Sequence, residues 1–167
     1  MHKIGPERLT RLIDEHGSAL VLYAQQWCDR PEDVVQEAFI RLMRQQPIPE
    51  NVVAWLYRVV RNEAIGVSRA NARRKRHESA AVHRGEPWFI TNEADSIDAS
   101  SAVAALQSLA VEQREAIVLR LWGGLTFEQI AQVVDTSLST AQRRYEAGLR
   151  ALRNHWSIPC HNQEARQ

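Results

Sequence analysis

The sequence predicts an all-α fold: two small helical domains joined by a flexible linker, the second containing a helix-turn-helix. Stretches rich in Ala, Leu, Arg, Glu and Gln dominate, while alternating runs of Val, Ile and Thr are scarce. Seven Gly and six Pro in 167 residues leave little material for a turn-rich β fold. Residues 79–100 have no sustained periodicity, so we assign them to the linker. The first domain is then 1–78, the second 101–156, and 157–167 a tail.

Three helices are predicted in the first domain. The first runs from about Pro6 to Trp27, where apolar residues recur at helical spacing. The second opens at "DRPEDVVQEAFIRLMRQ", with Asp29 as its cap and Pro31 in its first turn. Two prolines then interrupt the pattern. The third begins at about Asn51, and its apolar first half gives way to a basic second half.

In the second domain a helical pattern resumes in residues 101–109, and "VEQREAIVLRLWG" predicts the next helix. Its expected core residues are Ile117, Val118, Leu121 and Trp122. Two consecutive glycines follow, and Gly fits the left-handed conformation that ends many helices. The helix is therefore expected to stop there.

The stretch "LTFEQIAQVVDTSLSTAQRRYEAGLRAL" predicts two short helices joined by a tight turn. Thr126 and Gln129 form a capping box, worth about 1 kcal/mol at helix starts of this kind. The turn falls at Asp135 to Ser137, since Asp tolerates the left-handed conformation better than most residues. Either Ser137 or Ser139 caps the second helix. Its inner stripe is Ala141, Tyr145, Gly148, Leu149 and Leu152.

The outer face of this last helix is polar and basic. Ser139, Gln142, Arg143 and Glu146 fall towards its N-terminus, where a recognition helix places its base-reading side chains in the major groove. Arg144, Arg150 and Arg153 are better placed to contact phosphates, which position a protein without specifying sequence. The alternative is an amphipathic helix with a solvated basic face. The capped helix and short turn before it favour DNA binding.

Charge is distributed in opposed blocks although the formal net charge is only +1. From Arg58 to Arg76 seven basic residues stand against Glu63 alone, which gives +6. From Glu86 to Asp98 four acidic residues stand without a base, which gives −4. Such a pattern indicates a local site for a polyanion and an acidic linker.

Other functional classes find little support. Cys28 and Cys160 lie far apart and are expected to be free thiols in a reducing cytoplasm. No run of 18 apolar residues occurs, so neither secretion nor membrane insertion is expected. The six His residues are scattered, and the chain has no Gly-rich phosphate loop and no "GxSxG". We therefore expect no catalytic residue, no metal and no cofactor.

Three motifs, in order, resemble those of the extracytoplasmic-function group of sigma factors in the sigma-70 family. "PEDVVQEAFIRL" is similar to a stretch of the family's second domain. "AWLYRVVRNEAIGVSRANARRKR" resembles the box that follows it, with an arginine-rich tail. "LAVEQREAIVLRLWGGLTFEQIAQVVDTSLSTAQRRYEAGLRALR" resembles the fourth domain. The resemblance covers roughly Pro6 to Trp156, with a short linker where the family has lost its third domain.

The resemblance implies a transcription initiation factor whose partners are core RNA polymerase and promoter DNA. It is also compatible with an anti-sigma factor as a further partner. It implies a polymerase-binding patch at Asp33, Gln36, Glu37 and Arg41. It implies −10 promoter contacts at Trp55, Tyr57, Arg58, Arg61, Asn62, Arg69, Arg73, Arg74 and Arg76. It implies −35 contacts at Ser139, Thr140, Gln142, Arg143, Arg144 and Glu146.

Some residues depart from the family pattern, and other interpretations remain open. Asp135 replaces the Gly more usual in the turn, Ala141 replaces a branched apolar residue, and Gly66 stands where Asp is common. Trp55, spaced helically with apolar neighbours, suits the core better than a base-stacking surface. A stand-alone helix-turn-helix repressor or activator is the main alternative function, and a polymerase-binding protein of the anti-sigma type a weaker one.

Overall fold

The structure, a computed structural model, describes residues 4–77 and 104–156, and every regular element within these ranges is helical. The long helices are α1 (Pro6–Ala24), α2 (Pro31–Arg44), α3 (Val52–His77), α4 (Val111–Leu121), α5 (Phe127–Val134) and α6 (Leu138–Trp156). Residues 104–108 add a short helical segment before α4. The all-α prediction is confirmed. The predicted linker 79–100 and tail 157–167 lie outside the described residues.

The first domain packs α1, α2 and α3 against one another. α2 begins at Pro31, whose missing N–H costs nothing at a helix start, and Glu32 and Asp33 occupy its first turn. The prediction that Asp29 caps α2 is wrong, because the capping position is Arg30 and no side chain bonds there. At the start of α3, Asn51 Oδ1 accepts a hydrogen bond from Ala54 N at 3.0 Å.

α4 ends where the two glycines predict, but its buried face differs from the prediction. Gly124 adopts φ +64°, a left-handed conformation open to glycine without strain. Ile117 and Val118 are buried as expected. Leu121 and Trp122 are 56% and 45% exposed, so assigning them to the core was wrong. They lie at the end of the helix, beyond the turn that its neighbours cover.

The helix-turn-helix forms as its local chemistry predicts. The Thr126 side chain accepts a hydrogen bond from Gln129 N, and Gln129 Oε1 accepts one from Thr126 N at 2.8 Å, which completes the capping box. Asp135 adopts φ 54° and ψ 61°, the left-handed conformation. Of the two serines that could cap α6, Ser137 does so: its Oγ accepts from Thr140 N at 3.2 Å.

The two helical domains share one hydrophobic core. A single cluster of buried side chains runs from α1, α2 and α3 into α4, α5 and α6. α5 packs along α3, and α4 touches α1. One close approach lies at Gly123, where an added Cβ would meet the ring of Tyr57 at 3.1 Å. In this structure the domains therefore pack against each other directly, an arrangement that we call the closed form.

Candidate nucleic-acid interface

The outer face of α6 is exposed and polar, as a DNA-reading helix requires. At 100° per residue, six side chains fall within one sector of the helix, and all are exposed. They are Ser139, Gln142, Arg143, Glu146, Arg150 and Arg153. Thr140 and Arg144, also predicted to contact DNA, lie outside this sector and are half-buried. The Thr140 hydroxyl accepts a hydrogen bond from Ser137 Oγ at 2.9 Å, which occupies it in the helix cap.

Packing on the inner side fixes how α6 is presented. Ala141, Gly148 and Leu152 are buried, and Tyr145 meets Phe127 of α5 edge-on, with ring centroids 5.4 Å apart. Arg120 of α4 donates to the Leu125 carbonyl oxygen at 2.7 Å, and its guanidinium lies 5.0 Å from the Phe127 ring. These contacts pack the start of α5 and the inner face of α6 against their neighbours, so the exposed face of α6 points away from the domain.

A second basic surface runs along α3. Five exposed side chains share one face of this helix at spacings of three, four and seven residues, over about 27 Å of helix axis. We call this set the α3 stripe: Arg58, Asn62, Arg69, Arg73 and Arg76. Among the described residues, none of its four arginines is held in an ion pair. Its cations are therefore available for a polyanion. Arg74 is exposed too, but projects from another side of α3.

The other predicted −10 residues flank the α3 stripe and face the second domain. Trp55 is half-buried and packs against the core. Together with Arg58 it lines a groove of about 440 Å³ whose opposite wall is formed by Gln129 and Gln132 of α5. Tyr57 is fully buried, and burial raises the pKa of its hydroxyl well above the usual value.

Arg61, on the same flank as Tyr57, is bonded to the second domain. Its Nε donates to Glu115 Oε1 of α4 at 2.5 Å, and Tyr23 OH of α1 donates to the same oxygen at 2.5 Å. Glu115 is 2% exposed and is the one buried charged residue in the described part of the chain. Sequence reasoning missed Glu115, because its partners are 54 and 92 positions away and no local pattern marks it.

The predicted polymerase-binding patch lies on the outer face of α2. Asp33, Gln36 and Arg41 are exposed, and Glu37 is half-buried beside them. Arg41 is 3.0 Å from Glu37 and 3.0 Å from Glu63 of α3. The hydrogen bond to Glu37, and then the charge of Glu63, raise the pKa of Arg41. The structure thus brings the four predicted residues together on one mixed-charge surface.

Within residues 4–77 and 104–156, no group of three or more His, Cys, Asp or Glu side chains is arranged to hold a metal ion. Cys28 is buried, and its thiol donates to the Ala24 carbonyl oxygen at 3.4 Å. Burial raises the pKa of this thiol, which disfavours the reactive thiolate. In the same ranges, no helix is both long and apolar enough to cross a lipid bilayer.

Comparison with known proteins finds two regions of one family in the same order along the chain as the surfaces described above. Residues 12–74 match the family profile described as Sigma-70 region 2, and residues 101–152 match the one described as Sigma-70, region 4. The chain is 28% identical over 131 residues to the ECF RNA polymerase sigma factor SigK of Mycobacterium ulcerans. That alignment covers 74% of this chain and 70% of SigK. The chain belongs to the extracytoplasmic-function group of the sigma-70 family.

Other members of the family show how far the likeness extends. SigE of Mycolicibacterium smegmatis is 30% identical over 144 residues, 81% of this chain, although the chain spans only 54% of that protein. The fold resembles that of the sigma factor RpoE in complex with the anti-sigma factor NepR from Bartonella quintana. The TM-score is 0.75 at 22% identity, over 92% of this chain and 99% of RpoE. CnrH, solved with the cytosolic domain of CnrY, gives 0.59 at 21% identity, over 90% of this chain and 88% of CnrH.

Proposed function

We propose that this sigma factor binds core RNA polymerase and directs it to specific promoters by recognising −35 and −10 DNA elements. The observation that carries the proposal is the presence, among the described residues, of two exposed surfaces with unpaired arginines on one chain, the α3 stripe and the outer face of α6. A stand-alone repressor or activator needs only the second. The domain boundaries remain those predicted from sequence, 1–78 and 101–156.

The first domain docks on polymerase and engages the −10 element. The mixed-charge face of α2 is the docking surface, where Gln36 is free to bond a partner side chain. The α3 stripe then follows the phosphate backbone, since cations along a helix neutralise a strand without reading its sequence. Opened DNA also needs a surface for its unpaired bases. Trp55, half-buried at the edge of the α3 stripe, is the aromatic side chain best placed to contact such a base.

The second domain reads the −35 element as duplex. Gln142 and Arg143, near the N-terminus of α6, are placed for base edges, and a good bidentate contact there discriminates by about 1–3 kcal/mol. Arg150 and Arg153 continue along the same face, where phosphates lie. In this mechanism the segment between the domains passes through the polymerase.

The factor acts as a regulator with no catalytic chemistry or cofactor of its own, and it works in the cytoplasm, where bacterial polymerase is found. An anti-sigma factor is a further proposed partner. The support is that the solved structures of RpoE and CnrH both contain a second protein, which for RpoE is an anti-sigma factor.

Binding to sigma-free core polymerase tests the proposal. We expect a stable complex, and Gln36→Ala should weaken it roughly 2- to 10-fold because one interfacial hydrogen bond is lost. Arg11→Ala, a change of an exposed residue on α1, is the control and should leave affinity unchanged. If the chain does not bind core polymerase but binds duplex DNA tightly by itself, it is a stand-alone regulator and the proposal fails.

A further inference from the structure

One buried carboxylate makes hydrogen bonds that cross from one domain to the other, inside the hydrophobic core that the two domains share. Glu115 of α4 accepts from Tyr23 of α1 and from Nε of Arg61 on α3, and Arg61 Nη2 lies 3.5 Å from its second oxygen. All of these donors belong to the first domain. Separating the domains would therefore remove every side-chain partner that the described residues give Glu115. We call Tyr23, Arg61 and Glu115 the interdomain triad.

The groups around the triad keep Tyr23 and Arg61 protonated, as their hydrogen bonds to Glu115 require. Burial, and then the charge of Glu115, raise the pKa of Tyr23 well above its usual value, so its hydroxyl keeps the proton that it donates. Burial alone would lower the pKa of Arg61, but its bond to Glu115 raises it overall. The Tyr23 ring meets Tyr57 edge-on at 5.2 Å, and Tyr57 in turn packs against Gly123 of the second domain.

Promoter engagement requires more reach than the closed form has. The −35 and −10 elements are about 25 base pairs apart by their names, which is roughly 85 Å of duplex at about 3.4 Å per base pair. A compact chain of this length has a radius of gyration of about 15 Å. In the closed form Trp55 and Arg58 share a groove with Gln129 and Gln132 of α5, so α3 lies directly against the helix-turn-helix that carries α6. Both elements cannot be held at once in this arrangement.

We propose that the interdomain triad is an autoinhibitory latch that keeps the free sigma factor closed and must break before both promoter elements are engaged. This inference rests on the proposed function, since the proposed function is what assigns Arg61 and Tyr57 to the −10 surface. While the latch is closed, Arg61 is occupied by Glu115 and Tyr57 is covered by the second domain. Breaking the contact frees the arginine and exposes the tyrosine at the same moment. The latch thus couples domain separation to exposure of the −10 surface.

Single-molecule energy transfer on the full chain tests the latch. Dyes are attached through non-natural amino acids at two exposed positions, Arg11 on α1 and Asn154 on α6, which leaves both cysteines untouched. Wild type should show mainly high transfer when free and low transfer once bound to core polymerase with promoter DNA. Glu115→Gln and Tyr23→Phe keep side-chain size but weaken or remove hydrogen bonds to the carboxylate. Each should raise the ratio of open to closed molecules about tenfold, since bonds to charged groups are among the stronger ones.

Tyr57→Phe is the matched control for Tyr23→Phe. Both tyrosines are fully buried, their rings touch, and each variant removes one hydroxyl. The Tyr57 hydroxyl, however, has no hydrogen-bond partner among the described residues, so its removal breaks no interdomain bond. Tyr57→Phe should therefore not raise the open-to-closed ratio; because it removes a buried hydroxyl without a partner in the described part of the chain, the ratio should stay at or fall below the wild-type value. Equal opening by both variants would overturn the latch, because ring packing rather than the bond to Glu115 would then hold the domains.

Binding to core polymerase separates failure of the latch from failure of the function. If the bound state needs separated domains, affinity is reduced by the fraction of free molecules that are open. Glu115→Gln should therefore tighten binding up to about tenfold. Wild-type binding with initiation, but no change in transfer or affinity in the variants, would sink the latch and leave the function intact. No binding by wild type would instead sink the function. Circular dichroism confirms that each variant remains helical.

Discussion

Replacing Arg143 by alanine should relax recognition at one position of the −35 element. Arg143 is exposed near the N-terminus of α6, and no ion pair holds it among the described residues. Its removal thus disturbs no internal contact. If it pairs bidentately with a base, the loss is about 1–3 kcal/mol on the preferred sequence, or roughly 5- to 150-fold in affinity. On sequences already altered at that base pair, the loss should be much smaller.

The assay is holoenzyme binding to a panel of −35 variants at two or more salt concentrations. Arg150→Ala is the matched control: it is exposed, on the same face, and seven residues or about 10 Å further along α6. Its loss should weaken all sequences alike and reduce the slope of log affinity against log salt by about 1. If Arg143→Ala also weakened every sequence equally, Arg143 would be a phosphate contact and the reasoning on base reading would be refuted.

Three further predictions concern stability, each measured by urea unfolding of the full chain. Gly148→Ala should destabilise by about 1–3 kcal/mol, because its Cβ would lie 2.7 Å from Cδ1 of the fully buried Ile117 and 3.3 Å from the backbone oxygen of Gln113. Gly66→Ala, where an added Cβ meets nothing within 4 Å, should instead stabilise by about 0.5–1 kcal/mol. If both glycine substitutions changed the free energy of unfolding in the same direction, the packing of α4 on α6 would be contradicted. Asp135→Val should cost about 1–2 kcal/mol, since a branched side chain resists φ 54°, whereas Asp135→Gly should be tolerated. Thr126→Ala should cost about 1 kcal/mol through loss of the capping box, against little change for Thr10→Ala, an exposed helical threonine.

Features set by a few neighbouring residues could be predicted from the sequence. The capping box needs only Thr126 and Gln129, three positions apart, and the turn needs only a residue that tolerates the left-handed conformation, which Asp135 does. Helical spacing likewise gave the buried and exposed faces of α6. The three motifs in order predicted the family. These inferences succeed because bonds between residues close in sequence form in much the same way in any protein.

Features that depend on tertiary packing could not be predicted in the same way. Leu121 and Trp122 continue the apolar pattern of α4, yet no helix within residues 4–77 and 104–156 covers that turn, so they are exposed. Glu115 is a charged residue in the same pattern, and its burial depends on donors from α1 and α3. No spacing rule indicates that two domains separated by a linker pack face to face. The closed form is for this reason known only from the structure.

Initiation by core polymerase from a mixed library of genomic promoters tests the central claim most directly. Purified chain is added to sigma-free core, and transcript start sites are mapped with and without it. The account predicts discrete starts that appear only with the chain and share one −35 and one −10 motif at constant spacing. Starts that are the same with and without the chain, together with tight binding to duplex DNA in the absence of polymerase, would contradict it.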